Sequence, residues 1–151
     1  MASVSLTGKD GIQIDGRVLN DLADGDAVKM TFPDDIAEMK ASKNGNTIYA
    51  LKETGKVVEC EMRILLGSAD DKYLNSRLQE MKDDLSAFIL LTGVFNKRVG
   101  DGQGNITSVV YLNDGGVFKK QPEAKTSAEG DTEQSVAVWT IKFRNESRTI
   151  Q

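Results

Sequence analysis

The stretch from Val57 to Gly93 narrows the possible folds most, because it demands a strand and a helix in direct succession. Val58, Cys60, Met62, Ile64 and Leu66 alternate with Val57, Glu59, Glu61, Arg63 and Leu65. A period of two, with one side apolar and the other largely charged, predicts a half-buried strand. Gly67 ends it. Ser68, with Asp71 three residues on, approximates a capping box. Asp70 and Asp71 fall in the first turn, where the helix dipole favours anions. Leu74, Leu78, Met81 and Leu85 then recur at spacings of four, three and four, giving one apolar stripe on an amphipathic helix. The run Phe88 to Phe95 is apolar at almost every position and predicts a strand buried on both faces. One helix packed on a mostly antiparallel β structure would satisfy all three segments.

The remaining segments supply strands. Val4-Ser5-Leu6 and Ile12-Gln13-Ile14, separated by Gly8-Lys9-Asp10-Gly11, are short alternating pieces that fit either short strands or an extended arm, and Asp15-Gly16 is a turn signal. Val28, Met30 and Phe32 predict a half-buried strand stopped by Pro33. Residues 36–41 and 47–53 flank Ser42 to Asn46, and Asn44-Gly45 is the strongest hairpin signal in the chain. An isolated two-stranded ribbon is marginal in water. A protruding 36–53 hairpin therefore predicts a contact with another subunit, with Lys40, Lys43, Asn44, Gly45 and Tyr49 as candidate contact residues. The alternative is an ordinary hairpin packed on its own domain. Asn96 to Asn105 reads as a glycine-rich hairpin loop. Ile106 to Leu112 is then a strand, Asn113 to Gly116 a turn, and Val117 to Gln121 a short strand before Pro122. Residues 123–134 read as a mobile polar loop. Ala137, Trp139, Ile141 and Phe143 form the apolar face of a last strand, and residues 145–151 a polar tail.

About eight or nine strands and one helix follow, in a single domain over residues 1–151 with no repeat or linker. Connections are too short for parallel crossovers except at the helix. The expected fold is α+β and mainly β: two packed antiparallel sheets, sandwich- or barrel-like, with one flanking helix.

Composition removes several function classes. The chain of 151 residues has no histidine, and so lacks the commonest general base and zinc ligand. Its single cysteine, Cys60, excludes an intramolecular disulfide, fits a reducing compartment and reads as a small core residue. A net charge of −4 argues against a dedicated nucleic-acid binder and suits a surface that must not grip DNA. No apolar run approaches the roughly 20 residues of a membrane span. Residues 1–5 lack the basic start and apolar core of a signal peptide. Asp21, Asp24 and Asp26 do not match a calcium loop. Gly100, Gly102 and Gly104 are superficially like a phosphate-binding loop, but no helix opens after them. Glu59, Glu61 and Arg63 share a strand face and read as solvation or cross-strand pairing rather than acid–base catalysis. Neither a catalytic site nor a cofactor or metal site is expected, and a structural or assembly protein is favoured over an enzyme.

These pieces, in this order, resemble the tail tube proteins of contractile-tailed bacteriophages. The resemblance spans about residues 11–144. It is carried by Cys60 to Ser68 leading into Asp70 to Asn75, by Gly25 to Val28, by Phe32 to Asp35 and by the Asn44-Gly45 hairpin. Such proteins are similar to the Hcp protein of type VI secretion and to bacteriocin tubes. The resemblance implies a structural virion protein assembled in the bacterial host cytoplasm. Six copies would close a ring, and rings would stack into a hollow tube. Sheath, tape-measure, baseplate and tail terminator proteins would be partners, with DNA passing through without specific binding. No family catalytic residues exist to carry over. Glu59, Glu61 and Arg63 become candidate lumen-facing residues, and the 36–53 hairpin a candidate ring-stacking contact. Two alternatives stay open: a neck or tail-completion ring that never polymerises, and a cytosolic β-sandwich that binds carbohydrate or protein.

Overall fold

A computed structural model describes residues 5–6, 11–23, 27–124 and 135–150. Among them the chain forms ten strands and one α-helix. The strands are β1 (Ser5–Leu6), β2 (Gly11–Ile14), β3 (Arg17–Val18), β4 (Val28–Thr31), β5 (Ala37–Ala41), β6 (Thr47–Leu51), β7 (Val58–Leu65), β8 (Leu91–Gly100), β9 (Ile106–Lys120) and β10 (Val136–Ile150); the helix α1 spans Ala69–Asp83. All pairings between strands are antiparallel. Eight strands make one sheet in the order β3-β2-β8-β9-β10-β7-β4, with β1 also on β8, and β5 and β6 make a second, two-stranded sheet. The mainly-β architecture with one helix and two antiparallel sheets is the one the sequence predicts. Most of the acidic turn at Asp24 to Asp26, the spacer 7–10 and the loop 125–134 lie outside the described residues.

The alternation of β7 is realised from Val58 to Leu65, but Leu66, expected on the apolar face, lies beyond the strand and is 61% exposed. Val58, Cys60, Met62 and Ile64 are buried, and the intervening residues face outward. β10 pairs with β7 in register from Val136 to Phe143, setting Ala137, Trp139, Ile141 and Phe143 on the same buried face. Leu74 and Leu78 of α1, Ile12 and Ile14 of β2, and Leu91 of β8 complete one apolar core. Ser68 caps α1 by accepting from the Asp71 amide at 3.3 Å, while the Asp71 carboxylate accepts from the Gly67 amide at 2.9 Å. That is the reciprocal arrangement of a capping box, shifted back by one residue.

Asp70, expected only to complement the helix dipole, is buried at 2% exposure and ties two segments together. Its Oδ2 accepts from the amides of Asn20 (2.7 Å) and Asp21 (2.8 Å), and its Oδ1 from Arg17 Nε (3.2 Å). Segment 21–23 thereby lies along β7, with Leu65 N bonded to Asp21 O and Ala23 N to Arg63 O. Asp15 makes a second tie. It accepts from the Thr92 amide and the Tyr73 hydroxyl and pairs with Arg77, whose guanidinium also covers the Phe88 ring.

Four further expectations are corrected. The segment Phe88 to Phe95 is not a doubly buried strand: β8 starts at Leu91, Phe88 packs inward from a 3-10 turn, and Ile89 and Leu90 face solvent at 76% and 42% exposure. Leu85 leaves the helical stripe for that turn and is 60% exposed. Asn113 to Gly116 is not a turn but the middle of the continuous strand β9. The glycines there serve packing. A Cβ on Gly116 would lie 2.6 Å from the Phe143 ring, and one on Gly93 of the neighbouring strand 2.9 Å from it. Finally, residues 145–150 are not a tail; they extend β10 along β9 as far as Ile150↔Val109.

Cys60 is the small core residue expected. Burial, reinforced by the nearby Glu61 charge, pushes its thiol up to about 12. Native protein at pH 8 is therefore expected to resist a disulfide-exchange reagent that titrates one thiol immediately after unfolding in urea. Labelling of the native chain at the rate of an exposed thiol would contradict this burial.

Candidate assembly surfaces

The most exposed element is the β5–β6 hairpin. Ser42 to Asn46 connect the strands through a tight turn: Gly45 N bonds to Ser42 O at 3.1 Å, Ser42 N to Asn46 O at 2.7 Å, and Gly45 takes φ 80°. Only a residue tolerant of left-handed backbone fits there, which explains the Asn-Gly signal. Cross-strand partners are Ala37↔Leu51, Met39↔Tyr49 and Ala41↔Thr47, so these six share one face. Every residue from Ala37 to Leu51 is exposed, with Met39 at 65% and Tyr49 at 75%. Lys40, Lys43, Asn44, Gly45 and Tyr49 all lie on this exposed ribbon, which pairs with no other described strand. The root of the ribbon is tight. Lys52 N bonds to Ile36 O, and Gly55 is buried where a Cβ would lie 2.3 Å from Asp35 O. The dipeptide Thr54-Gly55 by itself signals only a turn, so this anchor is not legible in the sequence.

Glu59, Glu61 and Arg63 share the outward face of β7. Glu59 forms an ion pair with Lys119 and stands opposite Lys142 in the sheet; Glu61 stands opposite Lys29 on β4 and Thr140 on β10. With Arg63, these named side chains carry two negative and four positive charges, so the face is mixed rather than acidic.

The sequence reading missed two further surfaces. One is the ledge formed by exposed Leu85, Ile89 and Leu90, which the packed neighbours Phe88 and Leu91 hold in place. The run of four apolar residues, longer than a single buried face needs, was its signal. The other is the outer edge of β10 beyond Phe143, where β9 pairs on one side while the register with β7 has ended. The hairpin loop expected over Asn96 to Asn105 is confined to Asp101 to Asn105, because Asn96 to Gly100 pair with β9 as part of β8. Asp101 Oδ1 accepts from the Gln103 and Asn105 amides, so the carboxylate occupies donors that a phosphate would need. Among the described residues no cluster of acidic or cysteine side chains suits a metal ion, and no helix is long and apolar enough to cross a membrane.

No protein-family model and no curated protein sequence matches the chain. Solved structures do. A chain of the PVC sheath–tube complex of an extracellular contractile injection system, in the extended state, superposes with a TM-score of 0.56 at 7% identity, over 94% of this chain and 87% of that one. A chain of the PVC sheath/tube terminator, also extended, gives 0.55 at 8% identity, over 95% and 94%. The chain thus shares its fold with chains of the sheath–tube and sheath/tube terminator assemblies of a contractile injection system.

Proposed function

We propose that this chain is the subunit of the inner tail tube of a contractile bacteriophage tail. Copies would close into six-membered rings that stack into a hollow tube, with sheath, tape-measure, baseplate and terminator proteins as partners and with DNA conducted on ejection. The observation that carries this reading is the self-standing β5–β6 hairpin on a tail-tube fold. A ribbon with no partner strand among the described residues gains its burial from another subunit. The role is structural and non-catalytic, and it places the protein in a virion assembled in the host cytoplasm. Negative-stain electron microscopy of purified protein across a concentration series tests it. Hollow filaments or stacked rings are expected, whereas a chain that stays monomeric at every concentration would overturn the proposal.

A second reading is a terminator-like or tail-completion ring that does not polymerise, and the likeness to the sheath/tube terminator favours it. Single rings without stacking in the same images would select it.

The face bearing Glu59, Glu61 and Arg63 is proposed to line the lumen. With Lys29, Lys119 and Lys142 beside the two glutamates, it presents charge of both signs, and the glutamates offset part of the cations' attraction for phosphate. Glu59→Lys with Glu61→Lys removes that offset and makes this face strongly basic. Tubes carrying both changes are expected to retain DNA in a salt-dependent manner, and normal release from them would remove the face from the lumen.

A further inference from the structure

Between β9 and the last part of β10 lie two side-chain oxygens that no donor among the described residues reaches. In the antiparallel register Glu146 stands opposite Asn113, so the two side chains share one face with Cβ atoms about 5 Å apart. Gly93 of β8 is the other cross-strand neighbour of Asn113 and brings no side chain to that row. Asn113 is 6% exposed, and its Oδ1 is shut off from water without a hydrogen-bond partner. Glu146 Oε1 is shut off and unpartnered in the same way. Two buried acceptors side by side are costly unless a proton stands between them. An ionised carboxylate has none to offer, whereas a carboxylic acid carries one.

The charges around Glu146 do not compel it to ionise. Arg148 follows two residues on, on the same face, with its guanidinium over the Tyr111 ring at 5.8 Å. Its attraction favours the ionised form. Burial acts in the opposite direction and is the stronger influence, so the Glu146 carboxyl is raised above its ordinary 4.5. The other charges on neighbouring elements are paired or more distant. Asp114 on β9 pairs with Arg144 at 3.6 Å. Glu53 and Lys56, in the 3-10 turn that packs on β10, pair with each other at 3.0 Å. Lys97 of β8 lies two rows farther along, opposite Val109 and beyond the Phe95–Tyr111 pair.

We infer that Glu146 is held as the neutral acid, its O–H donating to Asn113 Oδ1, and that this shared proton latches the last residues of β10 onto β9. The pairing with β7 has ended there, so β9 is the one described strand that holds Asn145 to Ile150. On ionisation the proton leaves to solvent, the hydrogen bond is lost, and a carboxylate is left facing a carbonyl oxygen. Opening of the strand end then lets the carboxylate reach water. The closed form is stabilised fully below the open-state value of about 4.5, and that stabilisation is lost as pH rises through the higher closed-state value. Between the two values the opening equilibrium grows by up to about tenfold per pH unit, and outside them it is level. The latch does not depend on the tube proposal.

Hydrogen exchange of the full chain tests it, read by mass spectrometry from about pH 4 to about pH 8 and corrected for the intrinsic pH dependence of exchange. Peptides covering residues 144–150 report the latch, and peptides covering residues 136–143, which pair with β7, serve as the reference. In the parent, opening of 144–150 relative to the reference is expected to rise with pH and then level off. Glu146→Gln keeps an N–H donor for Asn113 Oδ1 but has no ionisable proton, so its opening should be flat. Asn113→Asp sets a second carboxyl opposite Glu146; the pair should then hold one proton to higher pH and move the rise upward. A parent as flat as Glu146→Gln, or a rise that survives in Glu146→Gln, overturns the latch. A rise that Asn113→Asp leaves in place overturns the pairing of these two side chains.

Discussion

Trp139→Ala is expected to lower the free energy of unfolding by about 3–5 kcal/mol, the range for deleting a large aromatic from a core. Trp139 is 1% exposed and packs its ring 5.4 Å from that of Phe118. Its loss would open a cavity between β10 and α1, where Leu74 and Leu78 are also fully packed. It would also leave the Asp71 carboxylate without the indole N–H that now reaches it at 3.0 Å. Since this is the only tryptophan, urea unfolding of the variant is followed by circular dichroism. Trp139→Phe separates the two contributions: it keeps most of the packing and loses the hydrogen bond, for a smaller loss of about 1 kcal/mol plus whatever the reduced volume adds. A Trp139→Ala variant as stable as the parent would mean that the helix does not rely on this contact.

Asp70→Ala is the second large effect, and its cause is polar. The carboxylate is buried, yet it is the acceptor for two backbone amides, those of Asn20 and Asp21. Alanine strands both donors. With about 1–3 kcal/mol for each unsatisfied buried group, a loss of roughly 2–5 kcal/mol is expected. Asp70→Asn should lose less, because one side-chain oxygen can still accept both amides. Arg17→Ala should change stability by less than about 1 kcal/mol, since that guanidinium is 40% exposed and screened by water. Tryptophan fluorescence during urea unfolding reads all three. Equal losses for alanine and asparagine would show that backbone acceptance is not what Asp70 contributes.

The contrast between these sites shows what the sequence made legible. Strand β7, the α1 cap and the buried face of β10 could be read directly, because burial on one side imposes a regular spacing that survives in the residue order. The hairpin could be read from Asn44-Gly45, because the turn itself restricts which residues fit. Gly116 misled for a physical reason. Like Gly93, it is small to make room for the Phe143 ring from another strand, and that neighbour is invisible in the local sequence. Residues 145–150 misled for another reason. They are held by main-chain pairing to β9 and show no apolar spacing, since most of their side chains face water. Asp70 was legible as a helix-terminal anion, but its partners lie about fifty residues away. Of the candidate surfaces, the hairpin residues and the Glu59–Arg63 face could be placed in advance, whereas the ledge could not. Ile89 and Leu90 look like core until the strand boundary at Leu91 is known.

Strand β10 crosses from one environment into another. From Val136 to Phe143 it pairs with β7 and buries Trp139 and Phe143, while from Asn145 to Ile150 β9 is its only partner among the described strands and most of its side chains are exposed. The first half is thus bound into the core, and the last residues belong to the part of the domain that costs least to open. A long strand with such graded firmness has an adjustable end that can shift to meet a neighbouring molecule without disturbing the packing that defines the domain.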